Sequence, residues 1–264
     1  MNDERYTLIT GAGQGLGKAF ALECAKRHFN LLLLALPGEK LESFALSLRK
    51  NYVIKTDYLE IDLTEPQAAG RIYHWVHDHH YVLNRIINNA GIGSVGSFTS
   101  HDPAFYDKQL DLNIKAVVLL IHYFIEELAA EPDARILNIS SLASFFAMPY
   151  KAVYASSKGF IYYFSRALRM EYLNTPLRIS VACPGPIITN RQVIKRIKDQ
   201  GRISRIMVLS PEKTARLCLR GMLRGKAFII PGFPNKFLYW IEKLLPQFIK
   251  IKFVASRLRN NPPS

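Results

Sequence analysis

Thr10-Gly11-Ala12-Gly13-Gln14-Gly15-Leu16-Gly17 is the stretch that decides how this chain folds. It follows a short apolar run at 6–10 and opens a helix-forming stretch at 16–27. Its glycines let the backbone turn tightly, approach an anion closely and start a helix whose first amide hydrogens lack partners within the helix. A strict G-x-G-x-x-G spacing fits no register here, so a plain glycine-rich turn is the alternative when the stretch is taken alone. The surrounding sequence separates the two.

Outward from the turn, apolar runs and helical stretches alternate. Runs at 31–35, 52–61, 85–88, 135–139, 178–182 and 227–230 read as strands, and 41–48, 66–77, 105–128, 154–172 and 211–223 as helices between them. Strands so short and so continuously apolar belong in a sheet covered on both faces. With 6–10 they make seven. Helices between them dictate right-handed crossovers, hence an α/β fold with a doubly wound parallel seven-stranded sheet in a single domain. Ligands of such sheets sit beyond the C-terminal strand ends, here just after Thr10, Ala35, Ile61, Asn88, Ile139 and Ala182.

The chain has 264 residues, 49% hydrophobic and 21% charged, which excludes disorder, collagen and coiled coil. No repeat, low-complexity tract or linker divides it. Its three cysteines, Cys24, Cys183 and Cys218, form no C-x-x-C pair. A reducing compartment is therefore expected, without a disulfide framework or thiolate zinc site. Asp3, Glu4 and Arg5 stand where the apolar part of a signal peptide would form. The longest uncharged apolar run, 116–125, is shorter than the ~18 residues of a membrane span. These features point to a cytoplasmic protein.

Charge is uneven along the chain. Residues 191–264 hold 17 Lys and Arg against three acids, which accounts for the whole net charge of +14, while residues 1–190 are balanced. A basic patch without an accompanying motif gives no ground for nucleic-acid binding. His74, His77, His79 and His80 crowd together, yet no third ligand class follows at metal-site spacing. A polar helix end is the reading, and no metal is expected.

Further motifs stand at the strand ends. Asn88-Asn89-Ala90-Gly91 closes the fourth strand, Asp62-Leu63 the third, and Pro184-Gly185-Pro186-Ile187 with Thr189 follows the sixth. Tyr154 and Lys158 lie four apart, hence on one helix face. Ser141 precedes the tyrosine by 13 residues, and Asn113 falls in the long central helix. A lone Tyr–Lys pair is common on helix surfaces. Together and in order, T-G-x-x-x-G-x-G, N-N-A-G, Y-x-x-x-K and P-G resemble the short-chain dehydrogenase/reductase family over about residues 5–232.

The resemblance implies a Rossmann fold, a nicotinamide cofactor and a hydride transfer that interconverts a ketone and a secondary alcohol. It implies cofactor contacts at Gly11, Gln14, Gly15, Leu16, Gly17, Leu36, Asp62, Leu63, Asn89, Ala90, Gly91, Tyr154, Lys158, Pro184, Gly185, Ile187 and Thr189. Asn113, Ser141, Tyr154 and Lys158 are the implied catalytic residues. A free tyrosine, with a pKa near ~10, is a poor acid-base group at neutral pH. A nearby ammonium such as Lys158 stabilises its phenolate and brings that value down. Ser141 would fix the substrate oxygen; Ser140 competes for that role, and the spacing favours Ser141. Asn113 would anchor a water that passes protons to Lys158. An asparagine inside a helix competes for backbone bonds, so a local kink is expected there.

Which nicotinamide cofactor is used depends on the end of the second strand, where an acid binds the ribose 2′-hydroxyl of NAD. The stretch Leu33-Leu34-Ala35-Leu36-Pro37 has no acid until Glu39, and no Arg or Lys stands at Gln14 or near Leu36. With no carboxylate to repel a 2′-phosphate, the balance tilts slightly to NADP(H) over NAD(H).

The aromatics Phe160, Tyr162, Tyr163 and Phe164 after Lys158 divide between core and the subunit interface that the resemblance implies, hence a homo-oligomer. Residues 1–235 form the Rossmann domain, with a substrate lid at about 190–210 that mixes Arg191, Lys195 and Arg196 with Val193, Ile194 and Ile197. That mixture suits an acyl or lipid-like substrate with an anionic end, and equally a solvated helix with one apolar face. Residues 236–264 form a basic amphipathic extension that Pro246 divides into two short helices at most. It is expected to pack on its own domain, with weak peripheral membrane contact as the second reading. A catalytically silent nucleotide-binding regulator on the same fold is the alternative function; such relatives usually lack the tyrosine or lysine.

Overall fold

The computed structural model describes residues 5–187 and 208–244. Seven parallel strands form one sheet: β1 (Arg5–Thr10), β2 (Asn30–Ala35), β3 (Thr56–Glu60), β4 (Val82–Asn88), β5 (Arg135–Ile139), β6 (Arg178–Ala182) and β7 (Phe228–Ile229). Their spatial order is β3-β2-β1-β4-β5-β6-β7, so the chain reverses direction across the sheet between β1 and β4. The helices are α1 (Gly15–Ala25), α2 (Leu41–Tyr52), α3 (Ala68–Asp78), α4 (Pro103–Leu110), α5 (Ala116–Ala130), α6 (Ala152–Glu171), α7 (Pro211–Leu223) and α8 (Phe233–Leu244).

The unbroken leucines of β2 show why the strands carry no polar alternation. Leu31 and Leu33 face one layer with Phe20 of α1, Leu48 of α2 and Leu219 of α7. Leu32 and Leu34 face the other, with Ile72 of α3 and Phe124 of α5. All nine are fully or almost fully buried, each contributing about 1.5–3 kcal/mol of transfer free energy.

Three local departures from the sequence expectation have physical causes. The extended run at 52–61 shortens to β3, because α2 carries on through Tyr52 and the chain then turns at Val53, with φ +51°. Arg49 Nε ties that turn down by donating to the Thr56 carbonyl at 2.7 Å. The helix expected at 105–128 is interrupted by a wide turn, Asp111–Lys115, in which the Ala116 amide reaches back to the Asp111 carbonyl. β7 is confined to Phe228–Ile229. Thr189, the lid before 208 and the extension beyond Leu244 lie outside the described residues.

Candidate active site

The glycine turn is held from behind. Thr10 Oγ1 accepts from the amides of Asn89 at 2.9 Å and Ala90 at 3.0 Å. Asn89 Nδ2 donates to the carbonyls of Thr10 at 3.1 Å and Gly11 at 3.3 Å. The N-N-A-G segment therefore fixes the shape of the turn, a role that falls also to Thr10, which sequence reasoning quoted without assigning. Gly11 has φ +66°, and a Cβ on Gly17 would fall 1.8 Å from the Gly11 carbonyl oxygen. At the start of α1, Gln14 makes no capping bond and the first turn holds no acid. A close, glycine-lined backbone ending on uncapped helix amides fits a dinucleotide pyrophosphate.

Gln14 turns instead to the other wall. Its Nε2 donates to Glu39 Oε1 at 2.9 Å, and a Cβ on Gly13 would lie 2.0 Å from Glu39 Oε2. The first acid after β2 thus folds back onto the glycine turn. Linear distance from the strand end hid it.

Asn113, in the wide turn, is fully buried. Its Oδ1 accepts from the Ile92 amide at 2.9 Å, and its Nδ2 donates to the Ile92 carbonyl at 2.9 Å and to Ser157 Oγ at 3.1 Å. Such turns displace one side chain from the helical ladder and cluster at functional sites. Gly91 sits between the asparagine and the lysine: a Cβ there would be 2.9 Å from Asn113 Oδ1 and 3.1 Å from Lys158 Nζ.

Tyr154 and Lys158 rise from the first turns of α6 beside the end of β5. Lys158 is only 5% exposed, and its Nζ donates to the Ile139 carbonyl at 3.1 Å. Burial brings its pKa down to about 8, with the Cys183 thiol working slightly against it. Burial pushes the Tyr154 phenol above its ordinary value, and a hydrogen bond with Ser141 works in the opposite direction. One of the three Lys158 N–H donors is taken by the backbone of β5. Ser141 Oγ also accepts from the Ala143 amide at 3.1 Å, capping the short helix Leu142–Phe145. Ser140 donates instead to the Lys158 carbonyl at 2.6 Å.

The family description short chain dehydrogenase matches residues 5–200 of this sequence. The chain belongs to that family. It is 29% identical over 196 residues to very-long-chain 3-oxoacyl-CoA reductase-A of Danio rerio, covering 73% of this chain and 61% of that protein. It is also 29% identical over 204 residues to 17-beta-hydroxysteroid dehydrogenase type 3 of Homo sapiens, covering 74% of this chain and 65% of that protein. The chain thus spans under two thirds of either relative's length. A solved 7beta-hydroxysteroid dehydrogenase superposes with a TM-score of 0.85 at 21% identity, covering 95% of this chain and 96% of that one; at that identity the likeness speaks for the fold.

The remaining expected contacts of this short-chain dehydrogenase line the same sheet edge. Asp62 Oδ1 accepts from the Thr64 amide at 2.9 Å, and its Oδ2 meets Lys108 Nζ at 3.4 Å. That carboxylate is occupied by its own loop, leaving Leu63 beside it. The Pro184 carbonyl accepts from the Leu142 amide at 2.8 Å. Gly185 lies flush against Asn235, where a Cβ would meet Oδ1 at 2.4 Å. Ile187 bridges to Leu209, and Leu36 is exposed. The histidine-rich segment serves packing: His77 Nε2 is 3.1 Å from Glu127, and the His79 ring stacks on Tyr81.

Proposed function

We propose that this protein reduces a ketone on an acyl or lipid-like substrate to a secondary alcohol, with Tyr154 as the proton donor. The observation that carries the reading is Tyr154, with Ser141 beside its phenol, one helical turn from buried Lys158. A bound nicotinamide supplies the hydride to the carbonyl carbon. Tyr154 then gives its Oη proton to the carbonyl oxygen, which Ser141 holds in place. Because burial keeps the phenol above its ordinary pKa, it is protonated at neutral pH, the state that reduction requires. Asn113 would anchor a water that passes protons to Lys158, which returns the proton to the phenol.

The lipid-like part rests on the 3-oxoacyl and hydroxysteroid names of the relatives and on the basic-apolar mixture at 190–210. A panel of ketones followed by loss of nicotinamide absorbance tests it. Turnover of 3-oxoacyl thioesters or steroid ketones is the expected result; turnover confined to small neutral sugars removes the lipid-like part. If cofactor binds and no ketone is consumed, the silent nucleotide-binding reading takes its place. Buried, unbridged Cys24, Cys183 and Cys218 support a cytoplasmic setting. Exposed Leu119 and Tyr123 on α5, with Phe160 and Tyr163 on α6, support a homo-oligomer joined through these helices.

The tilt to NADP(H) rested on the absence of a carboxylate beside the 2′ corner. Glu39 against Gly13 takes that ground away, since a 2′-phosphate would meet its charge and a 2′-hydroxyl its hydrogen-bond acceptor. NADH is therefore expected to give the higher kcat/KM. Glu39→Gln, by removing the like charge, is expected to raise kcat/KM with NADPH about tenfold. An unchanged NADH/NADPH ratio in that variant assigns the selectivity elsewhere.

A further inference from the structure

α8 has two unlike faces. On one, Leu238 and Tyr239 pack on Leu142, Tyr162 and Ile230, and the Tyr239 ring lies 4.8 Å from that of Phe145. On the other, Phe233, Phe237, Trp240 and Leu244 are 80%, 59%, 56% and 79% exposed, with Ile241 beside them. Their spacing of four, three and four residues puts them in one stripe along the helix. A contiguous aromatic stripe facing water marks an interaction surface. Exposed Lys236 and Lys243 flank it, and Lys243 Nζ stands 5.7 Å from the centre of the Trp240 ring. Glu242 is the helix's only acid.

Charge decides what covers the stripe. The whole net charge of +14 belongs to residues 191–264, and after Leu244 the sequence adds Lys250, Lys252, Arg257 and Arg259 without an acid. A second copy docking through this stripe about a two-fold axis would bring Lys236 and Lys243 up to the same lysines of its partner. An anionic lipid surface complements them instead. Trp and Phe settle at headgroup depth, and the lysine stems lie along the apolar stripe with their ammonium groups at the phosphates. Among the described residues no helix is long and apolar enough to cross a membrane, so the helix would lie in the interface.

We propose that α8 is a foothold on anionic bilayers. Its inner face touches the short helix that Ser141 caps, and Asn235 touches Gly185. The bilayer would therefore meet the protein beside the candidate active site. This placement deepens the lipid-like substrate reading, but lipid binding is measured without turnover, so the two fail separately.

The test is sedimentation of the full chain with phosphatidylcholine vesicles, with and without phosphatidylserine. Binding is expected only with phosphatidylserine, to fade as salt is raised, and to shift Trp240 emission to the blue. Phe237→Ser/Trp240→Ser should abolish binding, and Lys236→Glu/Lys243→Glu should weaken it by about tenfold or more, both with unchanged thermal melting. A protein that stays in the supernatant, or binds neutral vesicles equally and regardless of salt, overturns the proposal. So does a dimer that Phe237→Ser/Trp240→Ser converts to monomers, since a second copy would then cover the stripe.

Discussion

Tyr154→Phe is expected to lower kcat for ketone reduction by about a thousandfold, while cofactor affinity stays within about twofold of the parent. The substitution removes one oxygen and its proton and leaves the ring, which packs against Gly93 at 3.7 Å from where a Cβ would stand. The site keeps its shape and loses the proton donor. Stopped-flow turnover and equilibrium cofactor titration on the same preparation separate the two quantities. Wild-type turnover in the variant would remove Tyr154 from the chemistry, and a lost cofactor affinity would make the residue structural.

Lys158→Met should also abolish turnover, and it should make the unliganded protein more stable. A buried ammonium whose pKa falls from 10.5 to about 8 is disfavoured on folding by about 3 kcal/mol wherever both states carry the proton. Loss of the bond to the Ile139 carbonyl offsets about 1 kcal/mol of this, leaving a gain of about 2 kcal/mol at pH 7. The sign follows from the protons. Below pH 8 folded and unfolded chains both hold one, and the penalty is complete. Between 8 and 10.5 the folded lysine sheds its proton first, so wild-type stability rises relative to the variant. Urea unfolding at pH 7 and again at pH 10.5 should show the gap shrinking. A variant less stable than wild type at pH 7 would show that the lysine supports the fold.

The sheet was legible in the sequence because its strands are buried on both faces, so apolar continuity alone marked them. The candidate site residues Ser141, Tyr154 and Lys158 were nameable for a similar reason. They stand at a strand end or on one helix face, where spacing along the chain maps directly onto position. Two features were hidden because they depend on how loops return. Glu39 stands four residues past the end of β2, outside the strand-end position that spacing marks, and the left-handed Gly38, φ +85°, with left-handed Lys40, φ +56°, accompanies the turn that brings it beside Gly13. The partner of the Lys158 ammonium was hidden too, because it is a main-chain carbonyl, which carries no residue signature. Helix spacing put the lysine near the tyrosine; burial lowers its pKa, and the Ile139 carbonyl takes one of its hydrogens.

The wide turn between α4 and α5 also sets what insertions and deletions this gene segment can tolerate. Such a turn is a helix with one extra residue threaded into it. Deleting one residue of Asp111–Lys115 would let the helix close into regular form with its flanks still in phase, because the wide turn is what absorbs the extra residue. Leu120, Ile121 and Phe124 would keep their places beneath the sheet, while Asn113 would be drawn back into the helical ladder and lose Ile92 and Ser157 together. Core register and candidate-site geometry are thus separable at this one position. A one-residue deletion here spares the fold and removes the site, whereas a one-residue deletion in the regular part of α5 rotates its apolar face by about 100° out of the core.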